Sequence, residues 1–225
     1  MKLKRKIRNI GLIFLVTVIF LAVLFVAAGS MLWVNAWVLT GIILAGFVVG
    51  VVSVDPSLLE ERVGIKSGVK REDIFFSVMM GRLGPLSTYI IAGLDFRFGW
   101  SASFPLVLVV AGFVSYIIGF AILLWATKEN KFFSSVVRIQ KERGHYAITG
   151  GPYRLVRHPG YLGSIINTLA LPIALASLWA FIPAIATSII AIIRTFLEDN
   201  TLSKELEGYS TYMKHVKFRL LPGIW

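Results

Sequence analysis

The sequence predicts an all-α fold: a multi-pass integral membrane helical bundle with about six transmembrane helices. Of its 225 residues, 56% are hydrophobic and only 16% are charged, whereas a soluble domain carries about 25% charged residues. Apolar runs long enough to cross the hydrocarbon core, which takes about 20 helical residues, recur along the chain. The 23 lysines and arginines lie almost entirely outside these runs. This composition excludes a disordered chain and a disulfide-stapled scaffold, and it argues against a soluble nucleic-acid-binding domain.

Four apolar runs in the first 126 residues each predict one membrane span. Three carry no charge and the third in order carries only Arg82, whose neighbouring glycines and proline predict that it faces the bundle, as an ion-pair partner or a substrate contact. The basic residues before the first run also fit a signal peptide, but the run exceeds the usual length of about 7–15 residues and a second run follows at once, which favours a retained helix. The four runs are Ile10–Ala28, Met31–Val54, Ile74–Leu94 and Phe104–Ala126.

The last apolar run predicts a helical hairpin. Tyr161–Ile193 contains no charged residue and is interrupted by Pro172 and Pro183. As one helix it would be about 50 Å long, which is too long for a single crossing. We therefore expect two antiparallel helices, Tyr161–Leu175 and Leu178–Thr195.

The basic residues predict the orientation of the bundle. With a cytoplasmic N-terminus, 20 of the 23 basic residues precede the first span or lie in the cytoplasmic segments 55–73, 127–160 and 196–225. This bias follows the positive-inside rule and predicts that both termini are cytoplasmic, in a bacterial or archaeal inner membrane or in the endoplasmic reticulum. Residues 1–126 then form four N-terminal helices, and 127–225 hold most of the polar chemistry.

The segment before the hairpin contains the first candidate site. Arg157 and His158 precede Pro159, which suits the first turn of a helix. The unpaired N–H groups of that turn, with Arg157 and His158 beside them, can bind an anion, and Tyr153 and Tyr161 add aromatic faces. A basic, tyrosine-anchored membrane boundary explains the same residues equally well.

The second candidate site follows the hairpin. Arg194 and Glu198 share a helix face, next to Asp199. An ordinary ion pair at a helix end is the simpler interpretation, but a buried arginine at the end of an apolar run is costly without a partner or a ligand. Because the hairpin returns this cluster to the membrane face that holds Arg157–Tyr161, we favour a functional site. The C-terminal segment 208–225 fits an interfacial helix better than a lid.

These clusters resemble the isoprenylcysteine carboxyl methyltransferase family and the wider group of phospholipid methyltransferases. The resemblance covers roughly residues 128–225 and rests on two motifs: Gly-Pro-Tyr153-x3-Arg157-His158-Pro159-x-Tyr161-x-Gly163 and Arg194-x3-Glu198-Asp199. It implies an enzyme that transfers a methyl group from S-adenosylmethionine at the cytoplasmic face. The acceptor would be a lipophilic small molecule, either an isoprenylcysteine-type carboxylate, a lipid amine or a small thiol, with membrane lipid as the other partner and no nucleic acid.

The resemblance also implies roles for individual residues. Arg194 would orient the acceptor, Glu198 would contact the cofactor, and both count as catalytic. An aspartate, Asp199, stands where the family usually has a second glutamate, so the side chain is shorter and its charge is the same. The residues implied to hold the cofactor are Gln140, His145, Tyr146, Ala147, Ile148, Tyr153, Arg157, His158, Pro159, Tyr161, Glu198 and Asp199.

Two other functions remain open. Membrane sterol reductases, which use NADPH, share a similar Arg-His-Pro-x-Tyr-x-Gly motif and a similar ending around Arg219–Trp225, but Arg194-x3-Glu198-Asp199 fits the methyltransferases better. A non-catalytic or transport protein would be expected to show an internal repeat and charges at mid-membrane, where only Arg82 qualifies. No H-E-x-x-H motif is present, and no metal site is predicted. A glycine-rich phosphate loop of the P-loop or dinucleotide-binding type is also absent from the sequence.

Overall fold

A computed structural model describes residues 2–55, 58 and 71–225, and these residues form helices joined by turns and irregular segments, with no β-strand among them. This confirms the predicted all-α class. Most of the predicted cytoplasmic segment 55–73 lies outside the described residues. The α-helices are α1 Lys2–Ala28, α2 Val34–Ser53, α3 Arg71–Val78, α4 Gly84–Phe98, α5 Leu106–Glu129, α6 Pro159–Ala174, α7 Phe181–Glu205 and α8 Tyr209–His215.

Within the described residues, five helical segments are long and apolar enough to cross a membrane. They confirm a multi-pass helical membrane bundle. A sixth helix, α6, has only 16 residues and completes the hairpin with α7. The five segments are Lys6–Ala28, Val34–Ser53, Asp73–Phe98, Leu106–Glu129 and Phe181–Glu205.

The α6–α7 hairpin forms as predicted, with two differences in its second helix. Helix α7 begins at Phe181, three residues after the predicted Leu178. Pro172 lies in the last turn of α6, and the backbone N–H of Ser177 donates to the Pro172 carbonyl over 2.9 Å in the connection. Helix α7 does not stop at Thr195 but continues to Glu205. It continues because one face stays buried past the predicted end, where Asp199 is fully enclosed.

Helices α5 and α6 approach each other closely at glycines. A Cβ atom on Gly163 would lie 2.6 Å from the Gly119 carbonyl oxygen, and one on Gly112 would lie 2.5 Å from the backbone nitrogen of Ala174. Small residues let helix backbones approach in this way within a membrane. The close packing fixes the start of α6, and therefore the motif around Arg157, against the end of α5.

The third span is interrupted by a π-helical turn, Met79–Leu83, between α3 and α4. The prediction that Arg82 faces the bundle is wrong, because its side chain is exposed. The nearby glycine serves helix packing instead, because a Cβ on Gly84 would clash with the hydroxyl oxygen of Thr187 on α7. Such π turns inside helices often occur near functional sites.

Candidate functional site

A cavity of about 470 Å³ opens where the α6–α7 hairpin, the third span and the segments around residues 130–148 and 206–212 meet. All of the motif residues that the sequence places at this end of the bundle lie in or beside it. The predicted site residues that line the cavity are His145, Tyr146, Ala147, Ile148, Tyr153, Arg157, His158, Tyr161, Arg194 and Glu198.

Asp199 is the centre of a buried ionic cluster behind the cavity wall. Its side chain is fully enclosed. The Arg157 guanidinium donates to both carboxylate oxygens, from Nε and Nη2, each over 2.8 Å. The Arg219 Nε and the Tyr209 hydroxyl donate to it over 2.8 and 2.9 Å, and His158 Nε2 lies 3.1 Å away. Asp199 is therefore the counterion that Arg157 and Arg219 share, and Arg157 is no longer a free anion-binding group because its Nε and Nη2 donors bind this carboxylate.

The C-terminal segment is fixed onto this cluster by backbone contacts. The N–H groups of Arg157 and His158 donate to the carbonyls of Phe218 and Arg219 over 2.9 and 3.0 Å. Arg157 Nη1 also donates to the carbonyls of Val216 and Lys217. The segment is thus joined to the start of α6 by several hydrogen bonds, in addition to any contact that it makes with a membrane surface.

Glu198 presents its carboxylate to the cavity. The Tyr161 hydroxyl donates to Glu198 Oε2 over 2.6 Å. Within the described part of the chain, no ion pair involves this carboxylate. Glu198 is also the one acidic residue among the described residues that line the cavity, whereas the arginines there, Arg138, Arg157 and Arg194, each have a carboxylate partner.

Arg194 is paired with an acid from the third span. Its Nε and Nη2 donate to Asp73 Oδ1 and Oδ2, each over 3.0 Å, and Nη2 also donates to the Ser135 carbonyl over 2.7 Å. The Asp73 carboxylate accepts a further bond from the backbone N–H of Val137 over 2.6 Å. Both charged side chains are largely buried, so the pairing stabilises a cation that would otherwise be costly at a span end. The ion pair that the sequence predicts as the simpler interpretation, Arg194 with Glu198, is replaced by this one.

His145 forms an aromatic wall of the cavity with Phe132 and Tyr146. The His145 and Phe132 ring centroids are 4.4 Å apart, and His145 Nδ1 accepts the backbone N–H of Gln140 over 3.3 Å. Burial lowers the pKa of His145 to about 4, so the ring is neutral near pH 7. Because Nδ1 is an acceptor, the proton of the neutral ring is on Nε2.

Tyr153 closes the cavity from the side of α5. Its hydroxyl accepts a hydrogen bond from Asn130 Nδ2 over 3.2 Å, and its carbonyl accepts one from the Tyr212 hydroxyl over 2.6 Å. Burial raises the pKa of the Tyr153 hydroxyl, so it remains protonated and serves as a hydrogen-bonding and packing group. Tyr153, Tyr209 and Tyr212 belong to one buried apolar cluster, which links the C-terminal segment to the cavity.

Three predicted cofactor residues do not line the cavity: Gln140, Pro159 and Asp199. Gln140 is buried and braces the loop, since its Nε2 donates to the Phe132 carbonyl and its Oε1 accepts from Arg143 Nη1. Pro159 starts α6, and Asp199 lies in the ionic cluster. All three hold cavity-lining residues in place from behind.

The sequence interpretation did not identify Asp73 or Arg219 as part of this region. Asp73 is an acid at the start of the third span, on the membrane side where the hairpin places Arg194. This shared membrane side is the feature of the sequence that could have suggested the pairing of Asp73 with Arg194. For Arg219, its position in the C-terminal segment gave no comparable signal, because its contact with Asp199 depends on how the segment folds back.

The sequence of this chain is similar to those of known proteins. A model of the phospholipid methyltransferase family matches residues 107–207, somewhat under half of the chain. Two rice proteins, from Oryza sativa subsp. indica and subsp. japonica, are each named probable protein-S-isoprenylcysteine O-methyltransferase and are 46% identical to this chain over 56 residues. That match covers 24% of this chain and 29% of each relative. The comparisons confirm the predicted resemblance to this family, and the matched segment spans less than a third of the length of either relative.

Proposed function

We propose that the chain transfers a methyl group from S-adenosylmethionine to a lipophilic acceptor, and that residues 127–225 form the catalytic region. The observation that carries this proposal is the Glu198 carboxylate, which faces the cavity and is oriented by Tyr161. Each cavity arginine has an acid partner, and among the described lining residues Glu198 carries the negative charge that makes no ion pair. That charge suits a cofactor whose reactive centre is a positively charged sulfonium.

The residues around the cavity fit the parts of such a cofactor. Its volume of about 470 Å³ is within the usual range for cofactor pockets, roughly 300–1,000 Å³. The aromatic wall of Phe132, His145 and Tyr146 offers flat apolar surface for the adenine ring, and Glu198 offers an acceptor for cationic groups. S-adenosylmethionine, when bound, supplies an electrophilic methyl group.

The inner part of the cavity supports an acceptor that reaches the site along the hairpin. On α7 the lining continues from Glu198 to Thr187, which corresponds to about 16 Å of helix. Small and hydroxyl-bearing side chains line this part: Ser164, Thr168, Thr187, Ser188 and Ala191. A lipophilic acceptor that lies along this stretch would bring its polar end to Arg194 and Glu198.

The protein's part in the reaction is mainly alignment. In-line displacement at a methyl group requires the nucleophile to be held close to the carbon and in line with the leaving sulfur. An isoprenylcysteine-type carboxylate is already ionised and needs no base, so Arg194 would only orient it. A lipid amine or small thiol would need to lose a proton, and Glu198 is placed to accept it.

The positive-inside bias supports the proposal that this end of the bundle faces the cytoplasm. The cavity end holds the start of α6 and the end of α7, which are flanked by the basic segments 127–160 and 196–225. Cofactor from the cytoplasm and acceptor from the membrane would then meet at Glu198 and Arg194.

Calorimetric titration of the purified protein with S-adenosylhomocysteine and with NADPH tests the proposal. We expect S-adenosylhomocysteine to bind and NADPH not to bind. Glu198→Gln should weaken S-adenosylhomocysteine binding by about tenfold or more, because this ligand keeps a charged α-ammonium group although its sulfur is neutral, and a hydrogen bond to a charged group contributes about 1.5–3 kcal/mol. Arg194→Gln should change this affinity less than about twofold, because Arg194 is assigned to the acceptor.

Glu207→Gln is the matched control, since Glu207 is an exposed acid outside the cavity lining, and it should bind like the wild type. Binding of NADPH alone would favour a reductase and overturn the proposal. Equal losses in the Glu198 and Arg194 variants would show that the division of roles is wrong.

A further inference from the structure

We infer that Asp73 is a positioning residue for the acceptor: it determines which edge of the Arg194 guanidinium faces the cavity. The inference rests on the proposed methyl transfer and extends it to a residue outside the segment, 107–207, that matches the family model. Asp73 lies in α3, more than a hundred positions before Arg194 in the chain.

The contacts of Arg194 leave one of its nitrogens for a ligand. An arginine has five N–H donors. The Nε donor and both Nη2 donors are used by the Asp73 carboxylate and the Ser135 carbonyl. Within the described residues Nη1 makes no hydrogen bond, and Arg194 lines the cavity. Nη1 is therefore the nitrogen that would donate a hydrogen bond to the methyl acceptor.

This arrangement changes how Arg194 can hold a substrate oxygen. A side-on bidentate grip on a carboxylate uses Nε with one terminal nitrogen, and an end-on grip uses both terminal nitrogens. Asp73 occupies the side-on edge, and the two Nη2 donors are already used. Arg194 thus offers a single nitrogen with two N–H groups, whose direction is fixed by the plane of the Asp73 pair.

The surroundings of Asp73 hold that plane in place. Its carboxylate also accepts the Val137 N–H, and Arg194 contacts the Ser135 carbonyl, so both partners are tied to the same loop. The Arg194 guanidinium carbon lies 5.8 Å from the centre of the Tyr161 ring, whose hydroxyl orients Glu198. Asp73 is therefore connected through Arg194 to the side of the cavity where the acceptor would react.

The pair also stands at the boundary between two cavities. A second cavity of about 290 Å³ is lined by Asp73 and shares three residues with the main cavity: Val137, Arg194 and Glu198. Loss of the Asp73 contact would free the guanidinium to turn toward this second space. The acceptor would then lose its fixed donor, while the aromatic cofactor wall would be unchanged.

Steady-state kinetics of Asp73→Asn tests the inference, with radiolabelled S-adenosylmethionine and N-acetyl-S-farnesylcysteine as the acceptor probe. Asparagine keeps the shape of aspartate but places an N–H donor against the donors of Arg194 or Val137. We expect kcat to fall by about tenfold or more and the KM for S-adenosylmethionine to change less than about twofold. Asp73→Glu, which keeps the charge, should recover part of the lost kcat.

A double-variant cycle separates positioning from simple stabilisation. If Asp73 acts through Arg194, the double variant Asp73→Asn with Arg194→Gln should be no slower than Arg194→Gln alone. Independent effects that multiply, or a fall in S-adenosylhomocysteine affinity parallel to the fall in kcat, would overturn the inference. So would a wild type that binds S-adenosylhomocysteine but does not methylate the probe. If the wild type does not bind S-adenosylhomocysteine, the proposed function itself fails, and the inference fails with it.

Discussion

The two ends of the hairpin each bury an aspartate, and they differ in what surrounds it. At the turn of the hairpin, Asp95 is 3% exposed and its partners are the Ser101 backbone N–H and the hydroxyl groups of Ser101 and Ser177. At the cavity end, Asp199 is 0% exposed and its partners are Arg157, Arg219, His158 and Tyr209. Neutral donors surround the first carboxylate and cationic donors the second.

The difference shows how burial of a carboxylate can serve two purposes. The Asp95 contacts join the turn after α4 to the hairpin connection, and none of these residues lines either cavity described above. Asp199 and Asp73 are the counterions of three arginines in and beside the cavity wall, which leaves Glu198 for the ligand that we propose. The first arrangement stabilises a turn, whereas the second organises the electrostatics of a site.

Removal of the Asp199 carboxylate should have the largest effect. Asp199→Ala would leave Arg157, which is almost completely buried, without its counterion, and breaking a buried pair from one side costs about 3–5 kcal/mol. We expect a large drop in the thermal unfolding midpoint in detergent and the loss of S-adenosylhomocysteine binding. An unchanged midpoint would show that the C-terminal segment does not depend on this cluster, and Glu207→Gln again serves as the control.

A change at the hairpin turn should have a smaller effect that is confined to stability. Ser177→Ala removes one donor to Asp95 and one acceptor for the Ala180 N–H, and we expect a loss of about 1–3 kcal/mol. The affinity for S-adenosylhomocysteine in folded protein should match the wild type, because Ser177 lies outside the cavity. If affinity fell together with stability, the separation between the two ends of the hairpin would be wrong.

Protonation of His145 at low pH should have the smallest effect on the stability of the protein. Because burial lowers its pKa from 6.5 to about 4, the unfolded chain binds more protons than the folded chain between these values. The contribution of the neutral ring to stability is therefore complete above about pH 6.5 and is lost as pH falls toward 4. The thermal midpoint of the wild type should drop more between pH 7 and pH 5 than that of His145→Asn, which keeps an acceptor for the Gln140 N–H. Equal drops in the two proteins would show that His145 is not held neutral by the fold.

Local patterns in the sequence predicted most of the helices, but side-chain partners depended on packing. The uncharged runs and Pro172 were sufficient to predict the hairpin, because hydropathy and helix length are local properties. The exposure of Arg82 was predicted wrongly from the neighbouring glycines and proline, because Gly84 serves the packing against Thr187 of α7 and not the placement of Arg82. Arg194 was correctly predicted to lie at the cavity end, but its partner is Asp73, which a pattern within one helix could not reveal.

The sequence by itself determined the class of the protein, the order of its spans and the convergence of two motifs at one end of a hairpin. These features follow from apolar run lengths, proline positions and the distribution of basic residues, which act over a few tens of residues. Only the tertiary structure decided which charges are compensated and which remain for a ligand. Asp73 binds Arg194, which lies 121 positions later in the chain, and Asp199 accepts hydrogen bonds from three separate segments. The physical reason is that pairing energies of buried charges depend on distances of a few ångströms, which helix packing sets and residue spacing does not.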